Sequence, residues 1–121
     1  MKRILVVDDS ATVRQQVGMT LTQAGYAVTE AGDGVEGLAA LEKGGISMVI
    51  CDVNMPRMSG LDMLENIKRD PKLSAIPVVM LTTEGHPSLV DRAKKAGAKG
   101  WIVKPFKAEL MVSAVGKLVG A

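Results

Sequence analysis

Apolar residues gather in five short stretches along the chain: residues 4–7, 27–31, 48–51, 78–81 and 101–103. Four of them are apolar almost without interruption. That pattern suits strands of a parallel sheet covered on both faces, where no side chain points to water. The stretch 27–31 carries Thr29 and Glu30, so it is expected at a sheet edge.

Between these stretches the apolar residues recur every three or four positions, the helical spacing. Val13, Val17, Leu21 and Ala24 form one such face, with Ser10 placed to cap its start and Gly25 just past its end. Asp33 can cap a second helix whose inner face reads Val35, Leu38 and Leu41, stopped by Gly44-Gly45. Leu61, Leu64 and Ile67 line a third. Leu89, Val90, Ala93 and Ala96 line a fourth, ended by Gly97. Leu110, Met111, Ala114, Val115 and Leu118 line a fifth.

Strand then helix, five times over, predicts an α/β protein: a doubly wound parallel sheet with helices on both faces. Open sheets of this kind bind their ligands outside the carboxyl ends of the strands. The residues following each apolar stretch are therefore the candidate chemistry. They are Asp8-Asp9 after the first, Asp52 after the third, Thr82-Thr83 after the fourth and Lys104-Pro105 after the fifth. Each alone fits an ordinary turn, cap or surface role. Together they place three carboxylates, two hydroxyls and one ammonium at one edge of the sheet.

Two carboxylates 4 Å apart repel by ~4 kcal/mol at an effective dielectric of 20. Three of them must take up protons or hold a cation, and one lysine does not balance three. A hard divalent ion with oxygen ligands does, and Mg²⁺ characteristically combines one or two carboxylates with phosphate oxygens and water. Aspartate is a known nucleophile toward phosphorus, and phosphoryl transfer is mostly a matter of positioning and charge neutralisation. The set therefore points to a phosphoryl site.

Composition narrows the setting. The 121 residues suit one domain. A formal charge of +2 gives no case for nucleic acid. One Tyr, one Trp and one Phe are too few for a base-stacking platform. Cys51 is the single cysteine, so no disulfide forms within the chain and a reducing compartment is expected. Cys51 itself reads as a small core residue. The longest apolar run, residues 76–81, is far short of the ~20 residues of a membrane span. The start, Met1 to Val7, resembles a secretory signal, but its apolar part stops at Asp8-Asp9, below the ~7–15 residues required. A cytoplasmic location is expected.

Asp8-Asp9, Asp52, Thr82 and Lys104-Pro105-Phe106, in this order and at these spacings, resemble the receiver domain of two-component response regulators over essentially the whole chain. The resemblance implies a flavodoxin-like, CheY-like (βα)5 fold with strand order 2-1-3-4-5. It implies that Asp52 is the phosphoacceptor, and that Asp8, Asp9, Asp52 and the backbone carbonyl of Asn54 hold Mg²⁺ or Mn²⁺. Asp9 is then the more direct ligand and Asp8 acts largely through water. It makes Lys104 the partner of the acceptor and of the phosphoryl group, across a Lys104-Pro105 bond that is cis in the family. Thr82 becomes the switch hydroxyl and Trp101 the switch aromatic, although the family usually has Tyr or Phe there. Asn54 and Glu84 occupy the positions that set phosphoryl lifetime.

The same resemblance implies a partner face on the fourth helix, last strand and fifth helix, here carrying Arg92, Lys94, Lys95, Lys99, Trp101 and Lys107. The implied protein is a signalling protein rather than an enzyme. It is phosphorylated by a sensor histidine kinase of the chemotaxis type and acts as a monomer on a flagellar motor switch protein, with no direct nucleic-acid or membrane partner. The chain stops shortly after the fifth helical segment, so a single receiver over residues 1–121 without an effector domain is expected. Two other readings stay open: a phosphorelay intermediate or phosphate sink, and a Mg²⁺-dependent phosphohydrolase with an Asp nucleophile. Asn54 argues against the latter, because haloacid-dehalogenase motifs carry a second Asp at that position. A dinucleotide or flavin binder is disfavoured, since the first strand leads into Asp8-Asp9-Ser10 and not a glycine-rich loop. Met55 and Met58 are expected at the rim of the site, and His86 in solvent.

Overall fold

The computed structural model describes residues 2–83 and 85–120. Five strands alternate with five helices: β1 (Arg3–Val7), α1 (Ala11–Gln23), β2 (Ala27–Ala31), α2 (Gly34–Glu42), β3 (Met48–Cys51), α3 (Gly60–Arg69), β4 (Val78–Thr82), α4 (Pro87–Lys95), β5 (Gly100–Val103) and α5 (Ala108–Val119). The strands form one parallel sheet in the order β2-β1-β3-β4-β5, as the resemblance implies. Thr29 and Glu30 do lie on an edge strand.

The two-residue strand period divides the core. Leu5, Val7, Val49, Cys51, Val78 and Met80 point to the face covered by α2, α3 and α4. Ile4, Val6, Met48, Ile50, Val79 and Leu81 point to the face covered by α1 and α5. Each such side chain is almost fully excluded from water, and burial of one contributes about 1.5–3 kcal/mol.

The helix starts follow their capping residues. Ser10 accepts from the Val13 N–H and Asp33 from the Glu36 N–H. Ser59 caps α3 by accepting from Asp62, and His86 caps α4 by accepting the Ser88 N–H on its ring. His86 is exposed, as expected, but it has a structural partner in that turn.

Three expected inner-face residues face outward. Val35 and Leu110 are 44% and 55% exposed, and Ala24 is an exposed C-cap of α1. In α2 the reason is visible: the buried positions are Gly34, Gly37 and Leu41. A Cβ on Gly37 would lie 2.7 Å from the Met63 Cε, and one on Gly34 would lie 2.9 Å from the Met58 side chain. The helix approaches its neighbours on its glycines, and that rotates Val35 away. In α5, Met111 and Val115 fill the inward stripe and leave Leu110 beside it.

Candidate functional site

The strand ends bring the polar set together by continuing the sheet ladder beyond the strands. Asp8 donates its N–H to the Ala31 carbonyl at 3.1 Å, and Asp52 donates to the Val7 carbonyl at 2.9 Å. Lys104, beyond β5, donates its N–H to the Thr82 carbonyl at 2.7 Å. The Lys104-Pro105 bond that follows is cis.

Asp8 is 1% exposed and Asp52 6%, so neither carboxylate is screened by bulk water. Asp8 Oδ1 accepts the Ser10 N–H at 2.9 Å as the chain turns into α1. Asp52 Oδ1 accepts the Val53 N–H at 2.8 Å. The other oxygens meet Lys104, whose Nζ lies 2.7 Å from Asp8 Oδ2 and 3.6 Å from Asp52 Oδ2. Asp9 is exposed, and one oxygen from each of Asp8, Asp9 and Asp52 lies within 4.8 Å of the others.

Burial, and after it the charge of Asp8, hold the Asp52 carboxyl above the ordinary carboxylate range; Lys104 and the Val53 N–H pull the other way. Burial first, then the negative charges of Asp52 and Asp8, push the Cys51 thiol far up. Cys51 is therefore a core thiol and no nucleophile.

The donor set fits a hard divalent cation. Three ionised carboxylates and one ammonium leave two negative charges, the complement of one divalent ion, and every candidate ligand atom in the cluster is a carboxylate oxygen. Asn54, two residues beyond Asp52, is exposed in the β3–α3 loop.

Thr82 is fully buried at the end of β4. The register pairs Met80 with Trp101 and Thr82 with Val103. With side chains alternating, Thr82 and Trp101 are diagonal neighbours on one face of the sheet. Trp101 is partly buried against the α2–α4 side of the core. It lines a cavity of about 70 Å³ with Val90, Ala93, Lys94 and Ala98.

The basic face is less uniform than its sequence. Arg92 turns toward α3, donating to Glu65 at 3.0 and 3.3 Å and to Asp62 at 3.3 Å. Acids on the neighbouring helix draw it out of the row of lysines. Lys95 pairs with Asp91 at 3.0 Å. Lys94, Lys99 and Lys107 are exposed. Met58 packs against Gly34 at the start of α2, and both Met55 and Met58 are partly buried against the core. Glu84 lies outside the described residues.

In the sequence Gly60 reads only as a turn residue, with Pro56, beside Asp52; in the structure its N–H donates to the Val53 carbonyl at 2.8 Å and its Cα side presses on the carbonyl of Asp52. Sequence reasoning overlooked Arg14 and Arg57. The spacing of Pro56 and Gly60 signals a turn, but nothing in a linear pattern reports which backbone that turn meets.

A doubly wound sheet with paired acids after β1, an acid after β3, a hydroxyl at the end of β4 and a lysine after β5 defines a class of protein. The chain matches the family described as "Response regulator receiver domain" over residues 4–116, and it belongs to that family. Its similarity to particular members is high. It is 41% identical over 117 residues to "Chemotaxis protein CheY-3" of Vibrio cholerae, covering 96% of this chain and 90% of that one. It is 40% identical over 120 residues to "Chemotaxis protein CheY1" of Helicobacter pylori, covering 98% and 97%. Among solved structures, the chemotaxis protein CheY4 of Vibrio cholerae superposes with a TM-score of 0.92 at 40% identity, covering 98% of each chain. A putative response regulator from Chloroflexus aurantiacus gives 0.93 at 31% identity, covering 99% and 98%.

Proposed function

We propose that the protein is a chemotaxis response regulator that accepts a phosphoryl group on Asp52 from a sensor histidine kinase. The observation that carries this reading is the contact of one partly buried ammonium, Lys104, with both buried carboxylates of a three-aspartate cluster at the strand ends. The names of the chemotaxis relatives support the pathway. Among the described residues no helix is long and apolar enough to cross a membrane, and the proposed setting is the cytoplasm.

In the transfer, an Asp52 carboxylate oxygen forms the new bond to phosphorus. The phosphorus–nitrogen bond of the phosphohistidine breaks, and its electron pair leaves on the imidazole, which takes a proton. Asp52 Oδ1 is held by the Val53 N–H, which orients the carboxylate. Lys104 is placed to follow the negative charge from carboxylate to phosphoryl oxygen. Asp8, Asp9, Asp52 and the Asn54 carbonyl would hold a divalent cation, Mg²⁺ or Mn²⁺, which would supply charge neutralisation for the transfer.

The product adds about −1.5 to −2 charge and three acceptor oxygens. The Thr82 hydroxyl is the donor proposed to move to one of them. Trp101, diagonal to Thr82, then moves into the space vacated, biasing a two-state equilibrium in the α4–β5–α5 face. That face, with Lys94, Lys99 and Lys107 exposed, is the proposed surface for a flagellar motor switch protein.

Incubation with Mg²⁺ and acetyl phosphate, followed by intact mass, tests the assignment. The expected result is a single added phosphoryl group, absent without Mg²⁺ and absent in Asp52→Asn. An unmodified wild-type chain overturns it. Asp52→Asn remains a sound control because burial and Asp8 disfavour the native charge, so the neutral amide is expected to melt no lower than wild type. Trp101 emission is expected to shift when Mg²⁺ and a beryllofluoride phosphoryl mimic are added together. A spectrum that does not change removes Trp101 from the switch.

A further inference from the structure

Ligands of a metal centre bind well only when other groups fix them, and losing such a support typically weakens metal affinity 10–100-fold. Here two arginines support two different ligand-bearing loops, one anchored on β2 and the other on the start of α2.

The first is Arg14, in the first turns of α1, with its side chain 20% exposed. Its Nη1 donates to the backbone carbonyl of Asp8 at 2.6 Å, and its Nε donates to Glu30 Oε1 on β2 at 3.1 Å. The Asp8 carbonyl shares a rigid peptide plane with the Asp9 N–H. Holding that oxygen fixes the plane from which the exposed Asp9 side chain departs.

The second is Arg57, in the loop between Asp52 and α3. Its φ of 64° lies in the left-handed region, which a residue with a Cβ rarely adopts. Nε and Nη2 of Arg57 both donate to Asp33 Oδ2, at 2.8 and 2.5 Å. Asp33 is itself fixed as the cap of α2. Arg57 Nη2 also lies 3.7 Å from Glu36 Oε2, and Glu36 Oε1 accepts the Gly32 N–H at 2.9 Å. The acids that hold the two arginines are thus Glu30 on β2, Asp33 in the turn after it and Glu36 in the first turn of α2.

We propose that Arg14 and Arg57 are positioning residues of the metal centre, bracing the Asp8-Asp9 pair against β2 and the Asn54-bearing loop against the start of α2. The proposal rests on the divalent-cation reading given above. The guanidinium matters as well as its charge, because Arg14 reaches two partners through two different nitrogens and a lysine offers one point of attachment.

Charge and position predict opposite signs. A cation beside three carboxylates opposes a divalent ion, so removing it through charge alone tightens Mg²⁺ binding. Loss of the brace loosens it. Calorimetric titration of Mg²⁺ into the full chain is therefore the test, applied to wild type, Arg14→Gln, Arg14→Lys and Arg57→Gln, with melting in EDTA as a separate measure of folding. The expected result is an approximately tenfold weaker Kd in Arg14→Gln and in Arg57→Gln, with Arg14→Lys failing to restore it, in proteins that still melt cooperatively. A Kd equal to or tighter than wild type in both glutamine variants overturns the brace. Absence of Mg²⁺ binding by wild type overturns the cation reading itself, and the brace with it.

Discussion

Gly60→Ala is expected to destabilise the fold by at least about 3 kcal/mol, among the larger effects of a single methyl group. A Cβ at Gly60 would lie 1.8 Å from the carbonyl oxygen of Asp52 and 2.7 Å from its carbonyl carbon, with the Met80 Cε at 3.0 Å. The first two are backbone atoms, so no rotamer change relieves the collision. Gly60 cannot easily retreat, because its N–H bonds the Val53 carbonyl at 2.8 Å and it opens α3. Moving α3 disturbs Leu61, Met63, Leu64 and Ile67, all buried. Moving the Asp52 carbonyl disturbs the proposed phosphoacceptor instead. Gly44→Ala is the control for backbone strain without collision: its φ of 83°, unlike the φ of Gly60, is unsuited to a Cβ, and nothing lies within 4 Å. It is expected to cost only the local backbone penalty, about 1–2 kcal/mol. Urea denaturation of both variants reads the difference; a Gly60→Ala loss no greater than that of Gly44→Ala refutes the steric account.

That asymmetry between two glycines also shows what a linear pattern reveals. The strands were legible because burial on both faces leaves an unbroken apolar signature at residues 48–51 and 78–81. Their order and parallel direction place Asp8, Asp52, Thr82 and Lys104 side by side although 96 residues separate Asp8 from Lys104. The candidate site was therefore readable from strand ends alone. Helix faces were less so. Periodicity counts Val35 as a core residue because it cannot tell that Gly34 and Gly37 are the surfaces of close approach. Arg92 reads in the sequence as one of a row of partner-face cations, and Arg14 and Arg57 carry no signal there at all. Their roles depend on acids supplied from other elements: Glu65 and Asp62 for the first, Glu30 for the second, Asp33 for the third. A charge has no direction in a sequence, and it gains one only when a partner lies across the fold.

Lys104→Met is the second large effect. It removes an ammonium that contacts both Asp8 and Asp52, each nearly excluded from water. Taking one partner from a buried ion pair typically costs 3–5 kcal/mol because a charge is left uncompensated, and a loss of about 3 kcal/mol is expected near neutral pH. The loss depends on pH, with a definite sign. The Asp52 carboxyl already sits above the ordinary carboxylate range through burial and Asp8, with Lys104 partly offsetting both. A group whose folded pKa is raised binds its proton more tightly in the folded state than in the unfolded chain. Its penalty is absent below the ordinary carboxylate pKa and grows as pH rises through the raised value. Without Lys104 that window extends further upward. Melting temperatures compared at about pH 7 and about pH 5 are then expected to show a smaller deficit at the lower value. A second signature separates this electrostatic effect from lost packing. Mg²⁺ entering a cluster with no competing ammonium is expected to raise the melting temperature of Lys104→Met more than that of wild type. Equal deficits at both pH values, together with equal gains from Mg²⁺, refute the electrostatic account, since methionine keeps an apolar stem of similar length.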